Sequence, residues 1–217
     1  MCHPPARESN LNVHDFCRAV AAAISRGRKV GVKLDFKELA TVERTLEELD
    51  GELPERTGVP VLLNADVLPG PGGAQQAPLD AERFIGRCAT ARPGAILSLG
   101  WTHGPGLPLG YSAAMVDRIV DLCERVVPRD SQVTLAASAT HLWASQRRQR
   151  ERLLEYFTRR NRSLTLWGPS PPRVKRWIDT LDNHSTFVDT AAATWKQAAA
   201  VELLATARAI GCDVQLG

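Results

Sequence analysis

The stretch Val30-Gly31-Val32-Lys33-Leu34-Asp35-Phe36-Lys37 alternates apolar and charged residues. Successive side chains of a β-strand point to opposite faces of its sheet. One face of this predicted strand therefore carries Val30, Val32, Leu34 and Phe36. The other face carries Lys33, Asp35 and Lys37, so that two lysines flank one carboxylate. The pattern predicts a strand with a buried apolar side and a polar side on which a ligand or a metal ion could bind.

Five more short apolar runs have the length and composition of strands. They lie near residues 59–67, 95–101, 132–137, 163–167 and 185–189. Helical patterns precede, separate and follow the six strands, at residues 13–25, 38–49, 80–91, 112–127, 142–160, 172–181 and 194–210. Asp80 and Ser112 are predicted N-caps. Strict alternation of strand and helix is typical of a parallel sheet with right-handed crossovers, so it predicts the α/β class.

Within the α/β class, the alternatives are an open doubly wound sheet and a (β/α) barrel. A doubly wound nucleotide binder has a glycine fingerprint in its first strand-to-helix turn. Here that turn reads Lys37-Glu38-Leu39 and contains no glycine. The Gly- and Pro-rich segment 69–73 also lacks the spacing of a phosphate loop, and it is predicted to be a loop at a strand's carboxyl end.

Polar residues collect on one face of the predicted sheet, increasingly toward the carboxyl ends of the strands. They are Asn64, Asp66, Ser98, Thr134, Ser163, Thr165 and Asp189. Strands covered by helices on both faces read as continuous apolar runs, whereas a barrel with a polar upper interior gives this pattern. We therefore predict an incomplete TIM-type (β/α)8 barrel of about six parallel strands alternating with helices. Residues 1–217 form a single domain in this interpretation, with a C-terminal helix and tail at 194–217.

Composition and charge exclude several classes of partner. The formal net charge of +3 over 217 residues is too small to favour nucleic acid. No apolar run reaches the length of a membrane span, and the N-terminus does not resemble a signal peptide. The five widely spaced cysteines favour a reducing compartment, so the chain as it stands is expected in the cytoplasm. Four histidines without metal-ligand spacing are interpreted as structural or solvated: His14, His103, His141 and His184.

Four blocks of sequence, in this order and at these spacings, resemble the menorin family, also called the family with sequence similarity 151. They are GVKLDFK (31–37), LLNADVLPGP (62–71), LSLGWT (97–102) and SLTLW (163–167). The resemblance extends from about residue 3 to residue 189. That family is similar in turn to the phosphatidylinositol phospholipase C and glycerophosphodiester phosphodiesterase barrels. Those proteins are (β/α)8 folds that use a divalent cation and histidine acid/base chemistry.

The resemblance implies a role for several residues. Asp35 would ligate Ca²⁺ or Mg²⁺, Lys37 would hold a phosphate oxygen, and His3 would be the acid/base group. Trp167 resembles a tryptophan that would form a wall for a glycerol or sugar ring. The substrate-binding residues predicted in this way, or from their place at the strand ends, are Lys33, Asn64, Asp66, Trp101, Trp167 and Asp189.

The chain also departs from the family pattern. The family's first two strands, with an early histidine and a Glu-x-Asp pair, have no counterpart in this sequence. The resemblance therefore implies an N-terminally truncated domain whose affinity for Ca²⁺ or Mg²⁺ is weakened. Ser138 stands where the family is expected to have an arginine.

Two functions of different class remain open. In one, the polar face is a partial or vestigial phosphodiesterase-type site for a phosphodiester small molecule, active if enough of the site remains. In the other, the chain is a non-catalytic module that binds a protein partner, extracellular if a signal peptide was lost. The first strand would form an exposed edge, which predicts dimerisation. A structural ion-pair cluster is the alternative to a site at Lys33, Asp35 and Lys37.

Overall fold

The computed structural model describes residues 9–72, 77, 79–104, 109–182 and 184–192. Within them, six parallel strands form one sheet in the order β1-β2-β3-β4-β5-β6. Their bounds are β1 Val32–Phe36, β2 Val61–Pro69, β3 Ile96–Thr102, β4 Val133–Ser138, β5 Arg162–Ser170 and β6 Thr186–Ala192. Strand order follows sequence order without the reversal of a doubly wound sheet. The sheet curls into half a barrel, which confirms the predicted incomplete barrel.

Helices connect consecutive strands. The described helices are α1 Val13–Ser25, α2 Val42–Glu52, α3 Ala81–Ala91, α4 Ala113–Arg125, α5 Ala139–Ala144, α6 Arg147–Phe157 and α7 Pro172–Ile178. Short 3₁₀ turns lie at Leu39–Thr41 and Glu55–Thr57. None of these helices combines the length and the hydropathy of a transmembrane span. The helix predicted at 194–210 lies outside the described residues.

Local capping explains where several helices begin and end. The Asp80 carboxylate accepts a hydrogen bond from the Arg83 N–H, and the Ser112 hydroxyl accepts one from the Met115 N–H, which confirms both predicted N-caps. The prediction of a single helix at 142–160 is wrong. It is replaced by α5 and α6, which are separated where Ser145 takes an extended backbone conformation.

The apolar core lies between the sheet and the helices that cover its outer face. Val32, Leu34 and Phe36 of β1 are buried, and the ring of Phe36 packs on Phe84 of α3. The corresponding positions of the next strands are also buried, among them Leu63, Leu97, Leu99, Leu135, Leu164 and Leu166. The helices contribute Leu46, Leu49, Ile85, Ile119 and Phe157. The alternation seen in the sequence thus separates a helix-covered outer face from a polar inner face.

The carboxyl ends of β2 and β3 are in direct backbone contact. A Cβ atom added to Gly70 would clash with the Thr102 carbonyl oxygen and would lie 2.6 Å from the Cβ atom of Trp101. The Gly104 N–H donates a hydrogen bond to the Pro71 carbonyl oxygen at 2.9 Å. Gly72 has φ +79°, which glycine adopts without strain. The glycine-rich segment after β2 therefore allows the two strand ends to pack closely.

We expect Gly70→Ala to destabilise the fold by about 1–3 kcal/mol, because the added methyl group must push two backbone segments apart. The matched control is Gly86→Ala on α3, where an added Cβ atom meets nothing within 4 Å. That change should be neutral or stabilise the protein by up to about 1 kcal/mol, since alanine favours the helix. Urea unfolding of both variants measures the difference. Equal free energies of unfolding would contradict the close packing at Gly70.

Candidate functional site

A row of polar residues crosses the inner face of the sheet. Asp35 on β1 pairs in register with Asn64 on β2, and Asn64 pairs with Ser98 on β3. The Asn64 side-chain amide donates to the Asp35 carboxylate at 2.8 Å, and the Ser98 hydroxyl donates to the Asn64 side-chain oxygen at 2.6 Å. Farther along the sheet, the hydroxyl groups of Thr134 and Thr165 lie 2.8 Å apart. Asp35, Asn64 and Ser98 therefore form a connected hydrogen-bond row that orients Asp35, and Thr134 and Thr165 form a separate pair.

Lys37 lies just beyond the end of β1, between two carboxylates. Its Nζ atom is 3.0 Å from Asp35 Oδ2 and 3.2 Å from Asp66 Oδ2. The side chains of Lys37 and Asp66 are 29% and 26% exposed, so both are partly shielded from water. Lys33 lies on the same face of β1, one row nearer the amino end, and is exposed. Three charged groups thus meet at the carboxyl-end rim of β1 and β2.

Burial and charge act in opposite directions at this cluster. Burial opposes the charge of Lys37, but Asp66 and Asp35 outweigh it and raise the pKa of Lys37 above its ordinary value. Burial raises the pKa of Asp66, and the favourable charge of Lys37 offsets this only in part. Lys37 therefore remains an ammonium group, and Asp66 is the carboxylate at the cluster that accepts a proton more readily than usual.

The remaining predicted site residues lie apart from Lys37. Trp101 is buried on the outer face of β3, with its ring stacked on Tyr111 at a centroid distance of 4.2 Å. Trp167 is half-buried on β5 and pairs in register with Asp189 of β6, which is exposed. His3 lies outside the described residues. The structure thus brings together Asp35, Lys37, Asn64 and Asp66, and places Trp167 and Asp189 on the far strands of the sheet.

His103 and His141, which the sequence predicts to be structural or solvated, meet at the carboxyl ends of β3 and β4. The ring centroids of His103 and His141 are 4.6 Å apart, and the ring of His103 meets Trp167 edge-on at 5.1 Å and 86°. We call the rings of His103, His141 and Trp167 the imidazole corner. Because the strands are parallel, the corner lies on the same rim of the sheet as the cluster of Lys37, Asp35 and Asp66, which we call the Lys37 cluster.

Tyr111 holds His103 in one neutral form. The Tyr111 hydroxyl oxygen accepts a hydrogen bond from the Ser138 N–H at 2.9 Å, so its proton is available to His103 Nε2, 3.3 Å away. His103 also hydrogen-bonds to the backbone of Trp101. Burial lowers the pKa of His103 to about 4, so the ring is uncharged near neutral pH. Its two nitrogens are then paired with the Tyr111 hydroxyl and the backbone of Trp101.

His141 has one nitrogen paired and one unpaired. Its Nδ1 atom lies 2.9 Å from the Ser138 hydroxyl, whereas its Nε2 atom is shielded from water and has no hydrogen-bond partner. Burial, followed by the nearby His103, lowers the pKa of His141 to about 3. An unsatisfied buried polar atom is uncommon in folded proteins, and the other such side-chain atoms among the described residues are Trp101 Nε1, Gln149 Oε1 and Ser170 Oγ.

One feature of the sequence points to this pair. Both histidines follow the carboxyl end of a predicted strand within four residues, and ligand-binding residues of barrels lie there. Spacing along the chain does not indicate the pair, because the two histidines are 38 positions apart. Their contact depends on the adjacency of β3 and β4 and on the early start of α5 at Ala139.

The described residues do not by themselves fit a Ca²⁺ or Mg²⁺ ion. Ca²⁺ takes about six to eight oxygen ligands and Mg²⁺ about six. At the rim, Asp35 and Asp66 supply two carboxylates, and the ammonium group of Lys37 lies between them. No group of three or more His, Cys, Asp or Glu residues in the described part of the chain is arranged to hold a metal ion. A cation would therefore have to compete with Lys37.

Comparisons with known proteins agree on one family. The family model of the Menorin N-terminal domain matches residues 1–193. The Homo sapiens protein FAM151B is 33% identical over an alignment of 171 residues that covers 77% of this chain and 57% of that protein. The chain thus spans little more than half the length of this curated relative. No solved structure matches the chain.

We expect the free energy of unfolding to fall as the pH decreases from about 6.5 toward 4. An unfolded histidine titrates near pH 6.5, whereas the pKa values of His103 and His141 are about 4 and about 3 in the folded protein. The unfolded state therefore binds more protons in this window, which costs about 1–2 kcal/mol per histidine near pH 5.

Urea unfolding between about pH 7.5 and about pH 5 tests this expectation. His141→Phe keeps a ring and removes one titrating group, so the loss of stability on acidification should shrink. The control His184→Phe changes an exposed histidine outside the imidazole corner and should leave the loss as it is. An identical pH dependence in wild type and His141→Phe would refute the assignment.

Proposed function

The chain belongs to the menorin family, and from this premise we propose that it carries a partial phosphodiesterase-type site that binds a phosphodiester at the rim of the half-barrel. The observation that supports the proposal most directly is the position of Lys37. Its Nζ atom lies within 3.2 Å of two carboxylates at the carboxyl ends of β1 and β2. Ligands of barrel proteins bind at this end of the strands.

In the proposed site, Lys37 supplies a fixed positive charge for a phosphate oxygen. A lysine bound to an oxyanion forms a charge-assisted hydrogen bond, which is stronger than a neutral one. The hydrogen-bond row from Ser98 through Asn64 fixes the Asp35 carboxylate. Lys33 adds a second positive charge on the same face and helps to offset the two carboxylates. The arrangement suits a singly charged diester better than a doubly charged monoester.

A divalent cation has a secondary place in this proposal. Ca²⁺ or Mg²⁺ would approach Asp35 and Asp66, and we expect weak binding because Lys37 already pairs with both carboxylates. The function we propose is therefore phosphodiester binding, with hydrolysis open to direct test. A structural ion-pair cluster is the competing interpretation, and it predicts no ligand binding at all.

We expect dimethyl phosphate, a minimal diester, to bind the protein without added cation, and Lys37→Met to lower the affinity about tenfold or more. The control Lys175→Met replaces an exposed lysine on α7 and should have no effect. Affinity should rise as the pH falls from 7 toward the raised pKa of Asp66, because protonation removes a negative charge beside Lys37. The diester keeps its single charge in this range. NMR titration measures the binding, and its absence in the wild type would establish the structural interpretation.

Hydrolysis is tested with glycerophosphodiesters in the presence and absence of Ca²⁺ and Mg²⁺. Turnover that depends on the cation and is lost in Asp35→Ala would establish an enzyme of this type. Turnover no higher than that of Asp35→Ala would leave diester binding as the function. The control for the loss of one negative charge is Asp179→Ala. Asp179 is exposed and forms an ion pair with Lys175.

A second candidate function is protein binding at the edges of the sheet. Phe187 and Val188 of β6 are 57% and 53% exposed, which is unusual for large apolar side chains. Among the described residues, β1 pairs with β2 alone and is the opposite edge. Exposed strand edges pair readily with another chain.

We expect the chain to self-associate through the edge of β1, and we expect Lys33→Pro to block that association. The Val32 N–H bonds to the Pro60 carbonyl oxygen on the β2 side, so the next residue, Lys33, directs its N–H to the free edge. Proline removes that donor, whereas the control Lys33→Ala keeps it. Sedimentation over a range of concentrations measures the dimer. Equal dimerisation of the two variants would exclude the edge of β1 as the dimer interface.

Binding of a different protein partner at the sheet edges should persist in Asp35→Ala.

A further inference from the structure

We propose that a second copy of the chain pairs antiparallel with the free edge of β1, so that the partner's Lys33 lies opposite Asp35 and joins the Lys37 cluster. The proposal rests on the self-association proposed above as the second candidate function. It adds the direction of the two strands, their register and the residue that each copy contributes to the site of the other.

The backbone of β1 has one side paired and one side free. The Val32 N–H bonds to the Pro60 carbonyl oxygen, so Val32 and every second residue after it direct their backbone groups to β2. Lys33 and Asp35 direct theirs to the opposite side. Within the described residues, β1 pairs with β2 alone. A strand edge of this kind accepts a further strand through backbone hydrogen bonds.

The two faces of β1 decide the direction of a second copy. A two-fold axis perpendicular to the sheet makes the two β1 strands antiparallel and keeps both apolar faces on one side of the joined sheet. A parallel pair related by a two-fold axis would place the apolar face of one copy beside the charged face of the other. The antiparallel pair also closes with two copies, because the same edge is used twice.

The charges of β1 decide the register. When Leu34 lies opposite the partner's Leu34, Lys33 lies opposite the partner's Asp35 on both sides of the axis. Opposite charges that face each other across two strands are favourable, and like charges are unfavourable. An axis at Asp35 would bring the two Asp35 carboxylates together and place Lys33 opposite Lys37. An axis at Lys33 would bring the two Lys33 side chains together.

A fourth register would also join opposite charges. An axis at Phe36 would place Asp35 opposite the partner's Lys37. However, Lys37 lies beyond the end of β1 and already pairs with Asp66. The register with its axis at Leu34 keeps all five residues of β1 paired, and it uses a lysine that forms no ion pair within the described part of the chain, Lys33.

Asp35 has room for the additional lysine. Its side chain is 38% exposed, although Oδ1 accepts a hydrogen bond from Asn64 and Oδ2 lies 3.0 Å from Lys37 Nζ. A carboxylate has about four acceptor positions, so it accepts a third donor. Asp35 would then lie between Lys37 of its own chain and the partner's Lys33. The second copy thus adds one positive charge to the proposed phosphate site.

Helix α1 supplies an independent reason to expect a partner at this edge. It packs on α2, and α2 packs on α3, so α1 is the outermost of the three helices on the β1 side. Of its 13 residues, Cys17 is fully buried, whereas Phe16, Val20 and Ile24 are partly buried. Helix α4 has the same length and fully buries four residues. The two-fold axis places both copies of α1 on the same side of the joined sheet, where their apolar faces can cover each other.

The experiment uses two variants with complementary charges on β1. Lys33→Asp leaves a carboxylate at both positions, and Asp35→Lys leaves a lysine at both. Each variant alone should dimerise about tenfold or more weakly than the wild type, because both cross-strand pairs become repulsive. An equimolar mixture of the two should form a mixed dimer within about threefold of the wild-type affinity. Sedimentation over a range of concentrations measures all three constants.

Charge-matched controls separate the register from other effects. Arg129→Asp makes the same change of charge at an exposed residue before β4 and should leave the dimer unchanged. An axis at Asp35 predicts that Lys33→Asp alone strengthens the dimer, and an axis at Phe36 predicts that it has no effect. An axis at Lys33 predicts that Lys33→Asp pairs with the wild type more tightly than the wild type pairs with itself. Each of these three results would overturn the proposal.

Hydrogen exchange in the wild type tests the edge without any substitution. The amides of Lys33 and Asp35 should exchange more slowly as the protein concentration rises through the dimer range. The Leu34 amide, which is directed to β2, should show no such dependence. If Asp35→Lys does not fold, as judged by circular dichroism, this measurement and the effect of Lys33→Asp alone decide the outcome. Exchange at Lys33 and Asp35 that is independent of concentration would refute the proposal.

The failure of this proposal can be distinguished from the failure of the proposed function. If Lys33→Pro blocks the dimer but the two charge variants do not recover each other, self-association through β1 stands and the register fails. A wild type that stays monomeric refutes both, whatever dimethyl phosphate does at Lys37. If the charge variants pair and dimethyl phosphate does not bind, the dimer stands and the phosphate site fails.

Discussion

The site depends on one constraint, the parallel pairing of six strands in sequence order and with matching side-chain alternation. Because neighbouring strands stay in register, Asp35, Asn64 and Ser98 form one row that continues to Thr134. The apolar residues of the same strands are forced to the opposite face, where the helices cover them. A shift of one residue between any two strands would break the row and place charges in the core. The register thus creates the polar interior and the apolar core together.

The two parts of the rim handle burial in different ways. Near β1, the partly shielded charges of Lys37 and Asp66 remain tolerable because Lys37 pairs with Asp66 and with the more exposed Asp35 at the same time. At the imidazole corner, burial lowers the pKa values of His103 and His141, so both rings are uncharged near neutral pH. One end of the rim is therefore suited to an ion and the other to a neutral polar group. This difference follows from local burial and needs no metal ion.

Much of the fold could be predicted from the sequence, because alternation within strands and alternation of strands with helices are local patterns. The grouping of Asp35, Lys37, Asn64 and Asp66 could be predicted for the same reason, since alternation places all four on the polar face of the first two strands. The break between α5 and α6 could not be predicted from the sequence. It depends on Ser145, whose hydroxyl accepts a hydrogen bond from the N–H of Tyr111, 34 residues earlier in the chain. Tertiary contacts of this kind override a continuous helical pattern.

Tyr111 explains why the imidazole corner could not be found by spacing alone. Burial raises the pKa of its hydroxyl, which therefore stays protonated and donates to His103 while it accepts from the backbone of Ser138. Its ring stacks on Trp101, and its N–H anchors the turn after α5. One buried side chain thus joins the ends of β3 and β4 to the start of α4. The position of His141 beside His103 is a consequence of that junction, so a change at Tyr111 would disturb the corner before it reached the hydrogen-bond row at Asp35.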